Sequence, residues 1–179
     1  MAAVIPVVAG KPRSNSFWAR LWRDKPLGAV GGLVLLLFLV VGIFADFISP
    51  YDFNEIAPID RMQSPSAAHW FGTDNLGRDV LARCIYGAQL SVIIGCSAAA
   101  LATLISAVVG IVSGYFGGKV DLVMQRVVDA WMSFPDLIVL IVVVSVLGPG
   151  MPQIIGTLGL LLGIGGSRIV RSAVVSVRE

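Results

Sequence analysis

The sequence predicts an all-α, polytopic membrane protein with four transmembrane helices. Three observations predict it. Of the 179 residues, 56% are hydrophobic and only 13% charged, where a soluble domain carries roughly 25% charged residues. Mean hydropathy is +0.87. The apolar residues are also gathered into runs, and about 20 such residues cross a bilayer core.

The first span covers residues 27–48 and contains Leu33-Val-Leu-Leu-Leu-Phe-Leu-Val-Val41. A signal peptide has a shorter apolar core, roughly 7–15 residues, so this reads as an uncleaved anchor behind a tail of residues 1–26. A polar segment, residues 49–88, follows. The second span is expected over residues 90–112. The third starts near Val127 or Ala130 and ends near Leu147, and the fourth covers residues 152–170. Basic residues set the orientation. Lys11, Arg13, Arg20, Arg23 and Lys25 precede the first span; Lys119 and Arg126 follow the second; Arg168, Arg171 and Arg178 lie at the C-terminal end. The polar segment holds only Arg61, Arg78 and Arg83, with five acids. A four-span path with both termini cytoplasmic therefore puts ten basic residues inside and three outside, with residues 49–88 as an external loop.

The second span carries a stripe of small residues: Ser91, Gly95, Ala99, Ala102, Ser106, Gly110 and Gly114. Steps of three and four place them on one helix face, and small faces let helices approach closely in lipid. Gly159-x-x-x-Gly163 offers the same in the fourth span. The third span is broken at Pro135, which lacks an amide donor and restarts the helix. Asp136 follows it. Two roles are open for Asp136: a carboxylate stabilised at the new helix N-terminus, or an ionisable group on a transport path. Arg126 and Asp129 are three apart and positioned to pair on one helix face.

Catalytic chemistry is poorly provided for. The sequence has no GxxxxGK[ST], HExxH or CxxC pattern and no G-x-S-x-G elbow. His69 is the only histidine, beside Trp70, which with Phe71 suits an interfacial anchor. Cys84 and Cys96 sit in no ligand pattern and read as small apolar residues. A net charge of +2 is too small to argue for nucleic acid.

The most specific stretch is residues 71–91. Phe71-Gly-Thr-Asp74, Gly77-Arg-Asp79, Arg83, Tyr86-Gly87 and Ser91 resemble the signature that precedes the core permease domain of dipeptide/oligopeptide-type ABC importers, in the C-type subunit. Gly114-Tyr-Phe-Gly-Gly118, Asp121, Arg126, Asp129 and Phe134-Pro135 resemble the link between that family's second and third spans. Leu147-Gly-Pro-Gly150, Gly166-Ser-Arg168, Arg171 and Arg178-Glu179 continue the likeness, and the run from Arg20 to Gly28 is similar to the subunit's N-terminal stretch. Ala82 stands where Ser is frequent, Gln89 where Arg is common, and a tryptophan often found in the fourth span is missing near Gly163.

The resemblance implies part of a six-span type I importer permease in the cell (inner) membrane, with residues 89–179 the N-terminal part of its core domain. Implied partners are a second permease subunit, two ABC ATPases, an extracytoplasmic solute-binding protein and the lipid membrane; ATP would be used by the ATPases, with no cofactor in this chain. Asp74, Gly77, Arg78, Asp79, Arg83, Arg126, Asp129, Pro135 and Asp136 become signature or gating candidates, and Gly95, Ala99, Ser106, Gly110 and Gly114 helix-packing candidates. By the family pattern an EAA-type coupling loop and two more spans would follow Glu179, so the chain is expected to be incomplete and unable to engage the ATPases. The competing reading is a self-contained four-span channel or assembly factor that homo-oligomerises through its small-residue faces.

Overall fold

The structure, a computed structural model, describes residues 25–178. Lys11, Arg13, Arg20 and Arg23 of the expected cytoplasmic tail lie outside the described residues, as does Glu179. Regular structure among the described residues is helical, apart from one isolated antiparallel bridge between Thr73 and Asp79.

The chain divides into two units, Met1–Val40 and Val41–Glu179. α1 (Pro26–Ile43), of which residues 26–40 lie in the first unit, begins on a proline, whose missing donor costs nothing at a first helical position. Its 18 residues extend about 27 Å. Leu33, Val34, Leu35, Leu36, Leu37 and Phe38 are all exposed, as suits a helix facing hydrocarbon.

The second unit holds α2 (Ala45–Ile48), a single 3-10 turn (Pro58–Asp60), α3 (Val80–Phe116), α4 (Gly118–Met132), α5 (Asp136–Leu147) and α6 (Met151–Arg178). The second expected span began at residue 90; α3 begins at Val80. Hydropathy detects only the apolar part of a helix, whereas this one starts where the Asp79 side chain accepts a hydrogen bond from the Ala82 amide at 2.7 Å and caps the first turn. The 37 residues of α3 extend about 55 Å, well beyond a hydrocarbon core of about 30 Å. The helix ends at Gly117 (φ 63°) and Gly118 (φ 53°), a left-handed pair that turns the chain into α4.

The expected third span divides into two helices. Pro135 would clash with the Trp131 carbonyl in a continuous helix and leaves it without a donor. The chain therefore breaks at residues 133–135, and α4 and α5 meet at 78°. Asp136 is the first residue of α5, where free amides favour a carboxylate. By length and composition α1, α3 and α6 each suffice to cross a membrane, and the bent pair supplies up to one crossing more.

α3 and α6 form the core and run parallel. Gly159, in the N-terminal half of α6, faces Leu101, and towards the C-terminal ends of both helices Gly114 faces Val174. Two parallel membrane helices require the intervening chain, residues 117–150, to cross back between them. The α3 side of the seam is one every-fourth row: Ala98, Ala102, Ser106, Gly110 and Gly114. The α6 side is another: Gly159, Gly163, Ser167 and Arg171. A Cβ on Gly110 would stand 2.6 Å from Val170 Cβ and 2.7 Å from the Ser167 carbonyl; one on Gly163 would stand 3.0 Å from the Ala102 carbonyl. Ser106 Oγ donates to the Gly163 carbonyl at 2.8 Å. Small residues here let the two backbones meet, the association mode available where lipid removes the hydrophobic drive between helices.

Ser106, Gly110 and Gly114 meet α6, whereas Gly95 and Ala99 do not: both are exposed among the described residues, and a Cβ on Gly95 meets nothing within 4 Å. They belong to the neighbouring every-fourth row, Gly95, Ala99 and Thr103, which α6 leaves uncovered.

Candidate functional site

Two polar clusters, one at each end of α3, collect most of the singled-out residues. The first is the segment leading into α3. The Asp74 carboxylate accepts from the amides of Leu76 (2.8 Å) and Arg78 (3.0 Å), and from Arg78 Nε (2.7 Å). This closes a tight loop in which Gly77, at φ 80°, has no room for a side chain because a Cβ would strike the Ala57 carbonyl. The Thr73–Asp79 bridge then aligns the chain with α3. Thr73 anchors the segment below: its amide donates to the Gln63 carbonyl, its Oγ1 accepts from the Gln63 amide at 2.9 Å and donates to the Asp60 carbonyl.

Asp79 serves two partners. Oδ1 caps α3, and Oδ2 lies 2.9 Å from His69 Nδ1. Both side chains are nearly buried. Tyr51 covers the imidazole at 5.0 Å between ring centroids, and its hydroxyl donates to the Ala68 carbonyl. His69 is thus a structural partner of the helix cap. The Arg83 guanidinium lies 5.1 Å over the Phe53 ring, which also meets Tyr86 edge-on.

Burial raises the Asp74 carboxyl, but the Arg78 and Leu76 amides and the Arg78 guanidinium outweigh it and hold the group at about 2, against an ordinary 3.8. Because the folded value is depressed, its contribution to the loop is complete above the ordinary value and is lost as pH falls through about 2. Hydrogen-exchange protection of the Leu76 and Arg78 amides should therefore be unchanged from pH 7 to pH 4.5 and vanish near pH 2. Loss of protection already at pH 4.5 would contradict the geometry.

The second cluster ties the C-terminal ends of α3 and α6 to α4. Asp121 of α4 receives both Nε and Nη2 of Arg171 from α6 and, at 2.5 Å, the hydroxyl of Ser113 from α3. Gln125 donates to the same hydroxyl at 3.1 Å. Arg178 of α6 donates to the Tyr115 carbonyl at 2.9 Å, a cation on the end of α3. Asp129 pairs with Arg168 of α6. The local Arg126–Asp129 pair expected from spacing is not formed: α6 supplies a competing arginine, and Arg126 remains exposed. Pro135 and Asp136 lie at the bend and belong to neither cluster; both are exposed.

No group of three or more His, Cys, Asp or Glu side chains suited to a metal occurs among the described residues. Cys84 and Cys96 are exposed rather than packed. Both clusters do mechanical work: they fix where helices begin, end and join.

Comparison with known proteins gives this architecture a family. The N-terminal TM domain of oligopeptide transport permease C matches residues 15–65. The binding-protein-dependent transport system inner membrane component matches residues 106–179. The chain belongs to the C-type permeases of dipeptide and oligopeptide ABC transport systems. The dipeptide transport system permease of Bacillus subtilis (strain 168) is 40% identical over 163 residues, covering 90% of this chain and 50% of the relative. The corresponding protein of Alkalihalophilus pseudofirmus is 35% identical over 157 residues, 88% of this chain and 52% of the relative. The glutathione transport system permease of Pectobacterium atrosepticum is 29% identical over 183 residues, spanning 100% of this chain and 60% of the relative. The chain thus spans about half the length of the curated relatives it matches. The two family matches flank residues 71–91 without including them, while the alignment to the glutathione permease runs through them. These relatives favour a transport permease over a free-standing four-span protein.

Proposed function

We propose that this chain acts as part of a permease subunit in an ATP-driven importer of peptides or related small solutes, placed with residues 49–79 external and the Asp121–Arg171 cluster cytoplasmic. The family match on both flanks of the loop carries the reading. The parallel α3 and α6, which demand a returning crossing between them, support the topology. The permease performs no covalent chemistry. A second permease subunit completes the path, a solute-binding protein delivers the solute to the outer face, and two ATPases drive the helices between inward- and outward-open arrangements. ATP does this only through its different affinity for the two arrangements.

The test uses the complete permease containing this chain, co-reconstituted with its partner subunits in vesicles. Binding-protein-dependent, ATP-stimulated uptake of labelled dipeptide or glutathione is expected. Single cysteines introduced at Asn75 and Gln125 should react with an impermeant thiol reagent from opposite sides. Uptake without ATP, or conduction by a homo-oligomer of the chain alone, would reject the proposal, and labelling of both positions from one side would reject the topology.

A further inference from the structure

α4 has its polarity inverted relative to a soluble amphipathic helix. Its inward face holds Asp121, Gln125 and Val128, and the two acids it carries, Asp121 and Asp129, are both taken by arginines of α6. The opposite face combines Lys119 and Arg126, both exposed, with Leu122, Val123 and Val127, which are 59%, 62% and 64% exposed. Lys119 and Arg126 are seven residues apart, so they point within about 20° of one another and stand about 10 Å apart along the axis. α4 and α5 also do not form one straight crossing. α5 has only 12 residues, about 18 Å, and meets α4 at 78°. If α5 runs near the bilayer normal, α4 runs near the bilayer plane.

We propose that α4 lies in the headgroup layer and holds anionic phospholipid through Lys119 and Arg126. Leu122, Val123 and Val127 enter the acyl boundary, while the two long cationic side chains reach to the phosphates beside them. The occupant follows from charge: both acids of the helix are neutralised from within, so its outer face presents two cations and no anion. A neutral or cationic partner surface would leave them unmatched. The inference requires only that the chain is a multi-pass membrane protein.

The test is binding of dioctanoyl phosphatidylglycerol and, in parallel, dioctanoyl phosphatidylcholine to the detergent-solubilised chain, read by native mass spectrometry. Phosphatidylglycerol should bind preferentially, and the preference should fall about fivefold for each cation removed in Lys119→Gln and Arg126→Gln. It should survive in the Lys119→Arg, Arg126→Lys double variant. A photo-crosslinker at Val123 in native membranes should yield lipid adducts. Equal binding of the two lipids, an unchanged preference after both cations are removed, or protein adducts at Val123 would each overturn the proposal. The last outcome would assign the face to a protein partner.

Discussion

Gly110→Leu is expected to pry α3 from α6 and to destabilise the second unit by about 2–3 kcal/mol, at the upper end of what overpacking costs. The side chain cannot be accommodated by rotating a neighbour. The first atom it adds already meets Val170 Cβ at 2.6 Å, the Ser167 carbonyl at 2.7 Å and the Arg171 amide at 2.9 Å, and two of those three are backbone. The helices must separate, and the row above and below Gly110 separates with them, including the Ser106–Gly163 hydrogen bond. Gly95→Leu is the matched control: same helix, same substitution, no atom within 4 Å. It should change stability by no more than about 0.5 kcal/mol, the usual range for a surface site. Denaturant unfolding of the chain in mixed micelles, monitored by Trp131 fluorescence in a background with Trp18, Trp22 and Trp70 replaced by Phe, reads both. Equal losses at the two positions would show that the seam does not separate the two rows, and a larger loss at Gly95 that it follows the other one.

That contrast marks where the sequence stops being informative. Hydropathy locates the long helices because burial in lipid is a property of the segment itself. The small residues of α3 identify it as a packing helix for the same reason. Two adjacent every-fourth rows, one through Gly95 and Ala99 and one through Ala102, Ser106 and Gly110, are nearly equal in side-chain size, and only the position of α6 decides between them. The polar contacts follow the same division. Pro135 breaks the helix through local sterics and is legible from the sequence. Asp74 closes its loop with Arg78, four residues on. His69 finds Asp79 ten residues away, and Asp121 finds Arg171 fifty residues away. Spacing could not nominate those pairs, and it nominated Arg126–Asp129 because it could not see Arg168 arriving from α6. The resemblance to the permease family marked Asp121 and Arg171 as residues of interest without saying that they touch.

The Asp121–Arg171 pair carries the second large effect. Asp121→Asn should destabilise the second unit by about 2–3 kcal/mol, at or below the lower end of the cost of breaking a buried ion pair, because this one is only partly buried. The neutral amide retains the shape but leaves Arg171 without its counter-charge and can accept with one atom only. The Ser113 hydroxyl, itself fully buried, loses its charged acceptor too. One substitution therefore loosens α3, α4 and α6 together. Exposure predicts a different outcome for Asp129→Asn: the Asp129 and Arg168 side chains are 48% and 46% exposed, against 19% and 34% for Asp121 and Arg171. That pair should contribute less than about 1 kcal/mol. Replacing both members of the inner pair, Asp121→Leu with Arg171→Leu, should recover much of the loss, since two matched apolar side chains leave no charge stranded. Thermal unfolding of the wild type, Asp121→Leu, Arg171→Leu and the double variant in one detergent forms a double-mutant cycle that isolates the coupling. Indistinguishable losses from Asp121→Asn and Asp129→Asn would mean that α4 is held by its apolar contacts, with Arg171 an accessory to them.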